Sequence, residues 1–343
     1  MLDTSSATDM NGMFWNCSSL KEIDVSNFDT SRVTDMTSMF EDCSSLEYID
    51  VTGFDTSSTK YNSDVFRNCT ALDPSICIVK GNSITLDGNI GVNVYLQPCE
   101  DLSKAVISSP CGEREFIDFS GIIQDSGYYK FSYPINAAQG NEPITLRAYD
   151  KDGKRLIVCN DNYGLCDHSQ IKSSVYDYIN EIKKSKLYSD PTLAAFVDGL
   201  ENFCKAAENY FNGTKNAIAG IDNVNADSVK DYAPEFGKDI KISLVLNPAT
   251  ALRIYTDADK VEYSDSVIAP KTGKYGKYYE ITNIPAQKLG SEYRSIIDDT
   301  EYKFIPLSYV YRVLNNESAS DELIDMAKAT YVYAKTAEAY IGK

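Results

Sequence analysis

Residues 28–51 read FDTSRVTDMTSMFEDCSSLEYIDV, and the same phrase recurs 26 positions to either side. Upstream, Leu2-Asp3-Thr4-Ser5 and Thr8-Asp9-Met10 stand where Phe28-Asp29-Thr30-Ser31 and Thr34-Asp35-Met36 stand. Met13-Phe14 matches Met39-Phe40, Cys17-Ser18-Ser19-Leu20 matches Cys43-Ser44-Ser45-Leu46, and Ile23-Asp24-Val25 matches Ile49-Asp50-Val51. Downstream, a decayed copy keeps Phe54-Asp55-Thr56-Ser57, Phe66, Cys69 and Leu72. A fixed period whose last copy fades is the pattern of a stacked repeat closed by a capping unit.

Within each copy, Leu20-x-x-Ile23-x-Val25 and Leu46-x-x-Ile49-x-Val51 follow a leucine-rich-repeat strand pattern. Alternation sends the apolar residues inward and turns Glu22, Asp24, Tyr48 and Asp50 outward along one face, where they form the candidate ligand-binding set. Trp15 occupies the position of Glu41 and Arg67 in the other copies, and is either a further contact residue or a packing residue near the open end. Cys17, Cys43 and Cys69 are expected to form an internal ladder of buried thiols.

The unit FDTSxVTDMxxMFxxCSSLxxIDVS resembles the 26-residue repeat of BspA-type leucine-rich-repeat bacterial surface proteins. The resemblance implies an extracellular, cell-surface protein that adheres to a host extracellular protein or a polysaccharide. Residue 2 falls midway through a repeat, and residues 1–6 show neither a basic nor an apolar leader, so the chain is expected to be the later part of a longer protein.

Beyond Lys80-Gly81 a second duplication begins. Ser83-Ile84-Thr85-Leu86 and Gly91-Val92-Asn93-Val94-Tyr95-Leu96 parallel Ser243-Leu244-Val245-Leu246 and Ala251-Leu252-Arg253-Ile254-Tyr255-Thr256. Gly127–Ser132 likewise parallels Lys277–Thr282. Each set gives way to helical spacing: Ile171, Val175, Tyr178, Ile179 and Ile182, then a helix after Asp190-Pro191 carrying Leu193, Val197, Leu200, Cys204, Ala207 and Phe211 on one face. In the second copy Leu307, Val310 and Leu314 suggest a short helix, and Ser320 caps a longer one bearing Leu323, Ala327, Ala334, Ala337 and Ile341. This part resembles an uncharacterised duplicated region found downstream of such repeats. The expected fold class is therefore α+β and multidomain: the end of a leucine-rich-repeat solenoid over 1–80, then two tandem antiparallel β-sheet modules, each closed by its own helical hairpin, over 81–213 and 239–343. Residues 214–238 are the linker.

Composition narrows the chemistry. A net charge of −17 repels phosphate backbones and anionic lipid, so nucleic-acid and membrane-surface partners are excluded. The one histidine, His168, rules out two-histidine metal sites, and no cofactor motif is present. Cys166 beside His168 lies in a polar run without the setting a catalytic pair needs. Nine cysteines cannot all pair internally; Cys99–Cys111 and Cys159–Cys166 bracket loops and are the candidate bridges. Asp150-Lys151-Asp152-Gly153 lacks the ligand spacing of a calcium loop and reads as a hairpin turn between Leu146–Tyr149 and Arg155–Val158. The expectation is a non-enzymatic binding protein; the alternatives are a glycan hydrolase in the tandem modules or a structural stalk.

Overall fold

The computed structural model describes residues 3–72, 75–85, 90–97, 99–109, 112–120, 122–125, 127–161, 163–165, 171–235, 240–246 and 250–341. Two compact units emerge: one takes residues 1–83, 92–133 and 142–174, the other 84–91, 134–141 and 175–343.

The repeats form three turn-built coils. Gly12, Ser38 and Asp64 are left-handed at φ 59°, 56° and 60°, and so are Asn16, Asp42 and Asn68 at 59°, 62° and 60°. These paired reversals turn main-chain groups of one coil toward the next. Met10, Gly12, Phe14 and Asn16 donate their N–H groups to Asp35, Thr37, Met39 and Glu41, and Met36, Ser38, Phe40 and Asp42 donate to Tyr61, Ser63, Val65 and Arg67. Inside, Phe14, Phe40 and Phe66 stack face to face with centroids 5.2 and 5.5 Å apart. Phe28 stacks on Phe54 at 6.4 Å. The core of Met36, Met39, Phe40, Leu46 and Val51 continues into Ile76, Ile157, Cys159 and Leu165.

This corrects the expected leucine-rich-repeat solenoid. The only strands in the repeats among the described residues are β1 (Glu22–Ile23) and β2 (Tyr48–Ile49), two residues each and paired in parallel, and no α-helix lies within 3–72. The coils are joined mainly through the turn segments 10–16 and 36–42, whose alternating donors and left-handed residues face the next coil, and the ladder is confined to the β1–β2 pair. The thiol ladder is corrected in part. Cys43 and Cys69 are buried and donate to the carbonyls of Phe14 and Phe40 at 3.1 and 3.0 Å, whereas Cys17, in the outermost coil, is exposed.

The remainder of the chain is small, mainly antiparallel sheets and four α-helices among the described residues. The strands are β3 (Ile76–Thr85), β4 (Ile90–Gln97), β5 (Lys104–Ser109), β6 (Gly112–Phe116), β7 (Ile123–Asp125), β8 (Tyr128–Ile135), β9 (Ile144–Tyr149), β10 (Ile157–Asn160) and β11 (Ile171–Ser173). After α1 (Val175–Lys184) and α2 (Pro191–Asn212) come β12 (Lys241–Leu246), β13 (Thr250–Tyr255), β14 (Val261–Tyr263), β15 (Ser266–Val267), β16 (Lys271–Gly273), β17 (Gly276–Ile281), β18 (Tyr293–Ile297) and β19 (Thr300–Phe304). The last helices are α3 (Ser308–Leu314) and α4 (Asp321–Ile341).

The order β3-β4-β8-β7 is echoed by β12-β13-β17-β16, and β11-β9-β5-β6 by β19-β18-β14-β15. Ser83 Oγ meets Tyr95 Oη at 3.1 Å, and Ser243 Oγ donates to Tyr255 Oη at 3.4 Å. Strand β10 is an extra element, paired in parallel with β3. The Asp150 turn precedes it: Asp150 Oδ1 accepts from the N–H groups of Asp152 and Lys154. The flanking segments pair antiparallel across a Tyr149–Arg155 bridge, with Asp150 N donating to Lys154 O at 2.9 Å and Leu156 N to Ala148 O at 3.0 Å, so the expected hairpin turn is present before its strands join different sheets.

The helices form as their caps dictate. Asp190 accepts from the N–H groups of Thr192 and Leu193, Pro191 supplies the preset φ of the first turn, and Gly213 closes α2 at φ 69°. Ser320 accepts from Leu323 N at 3.3 Å and starts α4. The expectation that each sheet is closed by its own helical hairpin is corrected: α1 and α2 group with the second unit, and α2 packs along α4. Gly199 makes the approach possible, since a Cβ there would lie 2.5 Å from Thr336 Oγ1. Phe196 and Phe203 stack on Tyr333 at 6.1 and 4.9 Å. These two, not Phe211, are the buried α2 aromatics; Phe211 is 52% exposed.

Candidate functional site

On the repeat face, the pairing of Glu22 with Tyr48 and Ile23 with Ile49 fixes which side chains point outward. Ile49, Val25 and Val51 are buried, while Glu22, Asp24, Tyr48 and Asp50 are exposed. The four predicted residues come together: with Ile23, Val25 and Ser26 they line a shallow groove of about 510 Å³. Trp15 does not take part; it is 59% exposed and absent from the groove lining.

Two of the carboxylates also build backbone. Asp24 Oδ1 accepts from Ser26 N at 2.9 Å, and Asp50 Oδ1 accepts from Thr52 N at 2.9 Å and Thr52 Oγ1 at 2.7 Å. The same two-residue closure occurs at Asp3–Ser5, Asp29–Ser31, Asp35–Thr37 and Asp55–Ser57. Much of the repeat's acidity therefore belongs to Asx turns. Hydrogen bonds from the Ser26 side chain and then its backbone hold the Asp24 carboxyl below its ordinary range, so it stays ionised.

Sequence reasoning missed the cation that meets this face. Lys154 Nζ sits 3.5 Å from the centroid of the Tyr48 ring, delivered by the Asp150 turn. Arg155 follows it. Burial pulls its guanidinium below the ordinary value, with Tyr149 and Asp50 pulling it back. No periodicity connects residue 48 with residue 154; the faint signal was an Asp-Lys-Asp-Gly-Lys-Arg turn rich in cations.

In the second unit a groove of about 590 Å³ runs beside β12, with Tyr210, Phe211, Tyr275, Arg253 and Arg312 among its lining. None of these was singled out as a site. The exposed Tyr210-Phe211 pair at the end of α2, just before Gly213, was the available signal.

Cys166, His168 and Cys111 lie outside the described residues. Cys99 is bonded to Cys77, 4.9 Å away between Cα atoms, which corrects the Cys99–Cys111 expectation. Among the described residues no group of His, Cys, Asp and Glu is arranged to hold a metal ion, and no helix is long and apolar enough to cross a membrane.

A family profile described as "Mycoplasma protein of unknown function, DUF285" matches residues 1–85, about a quarter of the chain. No curated protein matches it.

Proposed function

We propose that this chain is a non-enzymatic binding protein whose acidic repeat face docks a basic, lysine-bearing segment of a partner protein. The observation that carries the reading is Lys154 on Tyr48: the face already holds one ammonium over an aromatic ring, beside three carboxylates. Glu22, Asp24 and Asp50 supply the countercharge for further cations along the groove. A polysaccharide partner is the weaker form, because Lys154 covers the ring face on which a sugar would stack. The hydrolase reading wants a carboxyl pushed up in a cavity. Asp24 is pushed down, and Asp325, raised by burial and by Asp321, Asp222 and Glu322 against the pull of Lys328, lines neither groove. A stalk would need no groove at all. The Cys77–Cys99 bridge supports an oxidising, extracellular setting, in line with the BspA-type resemblance.

The test is anisotropy titration of the full chain with a fluorescein-labelled Lys-Ala repeat peptide. The triple variant Glu22→Gln, Asp24→Asn, Asp50→Asn keeps acceptors for the Asx turns while removing three charges. It should weaken binding roughly tenfold. A control variant that also removes three charges, Asp227→Asn with Glu235→Gln and Glu317→Gln, should leave binding unchanged. Equal weakening by both sets would reduce the effect to net charge and end the proposal.

A further inference from the structure

The groove in the second unit has a different character from the repeat face. Among the described residues strand β12 is the terminal strand of its sheet, paired only with β13. Its register puts Leu246 opposite Thr250, Leu244 opposite Leu252 and Ile242 opposite Ile254. Two independent hydrogen bonds show which way its main chain points. Thr250 directs its carbonyl away from β12, to Ile284 N at 3.0 Å. In an antiparallel pair, the facing residue then also points away from the ladder, so Leu246 directs its N–H and C=O outward. From the other end, Ile242 offers its carbonyl to Arg312 Nη1 at 3.2 Å, on the side away from β13. Ile242, Leu244 and Leu246 share one parity, so Leu244 and Leu246 present their main-chain donors and acceptors to the groove.

The groove's walls are apolar and aromatic. Leu323, Met326 and Ala327 of α4 form one side, and Tyr210, Phe211 and Tyr275 stand 41%, 52% and 76% exposed around it. Its charge is one-sided. Among the described residues Lys241, Arg253 and Arg312 line it and no carboxylate does, in a chain whose net charge is −17. Arg253 is held by Glu280 at 2.7 Å, which leaves Lys241 and Arg312 as the cations without a carboxylate partner among the described residues.

We infer that β12 is a docking edge for an extended acidic peptide segment of a partner protein, which adds a strand through Leu244 and Leu246 and sets its carboxylates against Lys241 and Arg312. The edge supplies main-chain pairing and the aromatics supply side-chain anchorage, while the cations select acidic over basic sequence. This site is separate from the repeat face, which would repel the same peptide.

The test uses the full chain and a fluorescein-labelled Glu-Val-Glu-Val-Glu-Val-Glu peptide, read by anisotropy. Binding should saturate, and the Lys-for-Glu analogue should not bind at this site. N-methylating alternate residues should cost at least ~10-fold for one parity and less than ~2-fold for the other, since only one set of N–H groups meets β12. Lys241→Gln with Arg312→Gln should weaken binding, and so should Tyr275→Ala, whose exposed ring can be removed without disturbing the core. The absence of saturable binding, equal loss for both N-methylated parities, or full competition by citrate would each overturn the inference.

Discussion

Truncating Phe40 to alanine tests how the repeat unit is held together. Its ring is wholly buried and lies between Phe14 and Phe66, at 5.2 and 5.5 Å with interplanar angles of 2° and 4°. Removing it opens a void with a phenyl face on either side, and neither face can move without leaving its own coil. A buried Phe→Ala change costs about 3–5 kcal/mol, and two lost stacked pairs place this one in the upper half, at about 4–5 kcal/mol. Phe28 is the internal comparison: half-buried, with rings at 6.3 and 6.4 Å, it should cost only about 2 kcal/mol on truncation. The assay is equilibrium urea unfolding followed by tryptophan fluorescence. The chain has one tryptophan, Trp15, next to Phe14 in the first coil, so the signal reports on the repeats. If Phe40→Ala costs no more than Phe28→Ala, the phenyl column is not what stabilises the stack.

Other consequences follow from particular contacts. In α2, burial raises the Glu201 carboxyl, but Lys183 and Lys205 at 2.5 and 3.0 Å outweigh it and bring it below its ordinary 4.5. A depressed carboxyl stabilises the fold above the unfolded value and loses that contribution as pH falls through the folded value. Glu201→Gln should therefore flatten the loss of stability as the pH falls below 4.5, measured by urea midpoints from pH 6 to 3. Cys77 and Cys99 are separated by 22 residues, so Cys77→Ser with Cys99→Ser should cost about 3 kcal/mol, and non-reducing peptide mapping should find the two peptides linked in the parent. Gly164 packs against the carbonyl of Asn62 with no room for a Cβ, and Asn62 Nδ2 donates to Leu165 O at 2.9 Å. Gly164→Ala should cost about 1–3 kcal/mol by thermal melt, because the loop against the third coil must shift.

Much of the repeat was legible because a 26-residue period places like residues in one row: the burial of Cys43 and Cys69 and the outward acidic face follow from it, whereas Cys17 is exposed and the phenyl column was not foreseen. The strand content was not. The pattern Leu-x-x-Ile-x-Val suits a parallel ladder, yet only Glu22–Ile23 and Tyr48–Ile49 pair there, and most links between coils run instead through the turns that hold the left-handed Ser38 and Asp42. Helix limits at Asp190-Pro191 and Ser320 were readable from capping chemistry. The partner of α2 was not, since nothing local says that Gly199 meets Thr336. Among nine cysteines, spacing favoured loop-bracketing pairs, whereas the observed bridge joins β3 to the residues after β4. Lys154 on Tyr48 and the β12 groove are assembled from distant segments, and such encounters leave no periodic trace.

The central claim is that the acidic repeat face is a binding surface. Amide hydrogen exchange of the full chain, with and without the Lys-Ala peptide at saturation, tests it most directly. The account predicts added protection in residues 21–26 and 47–52, with little change in β12; protection confined to other segments, with 21–26 and 47–52 unaltered, would contradict it.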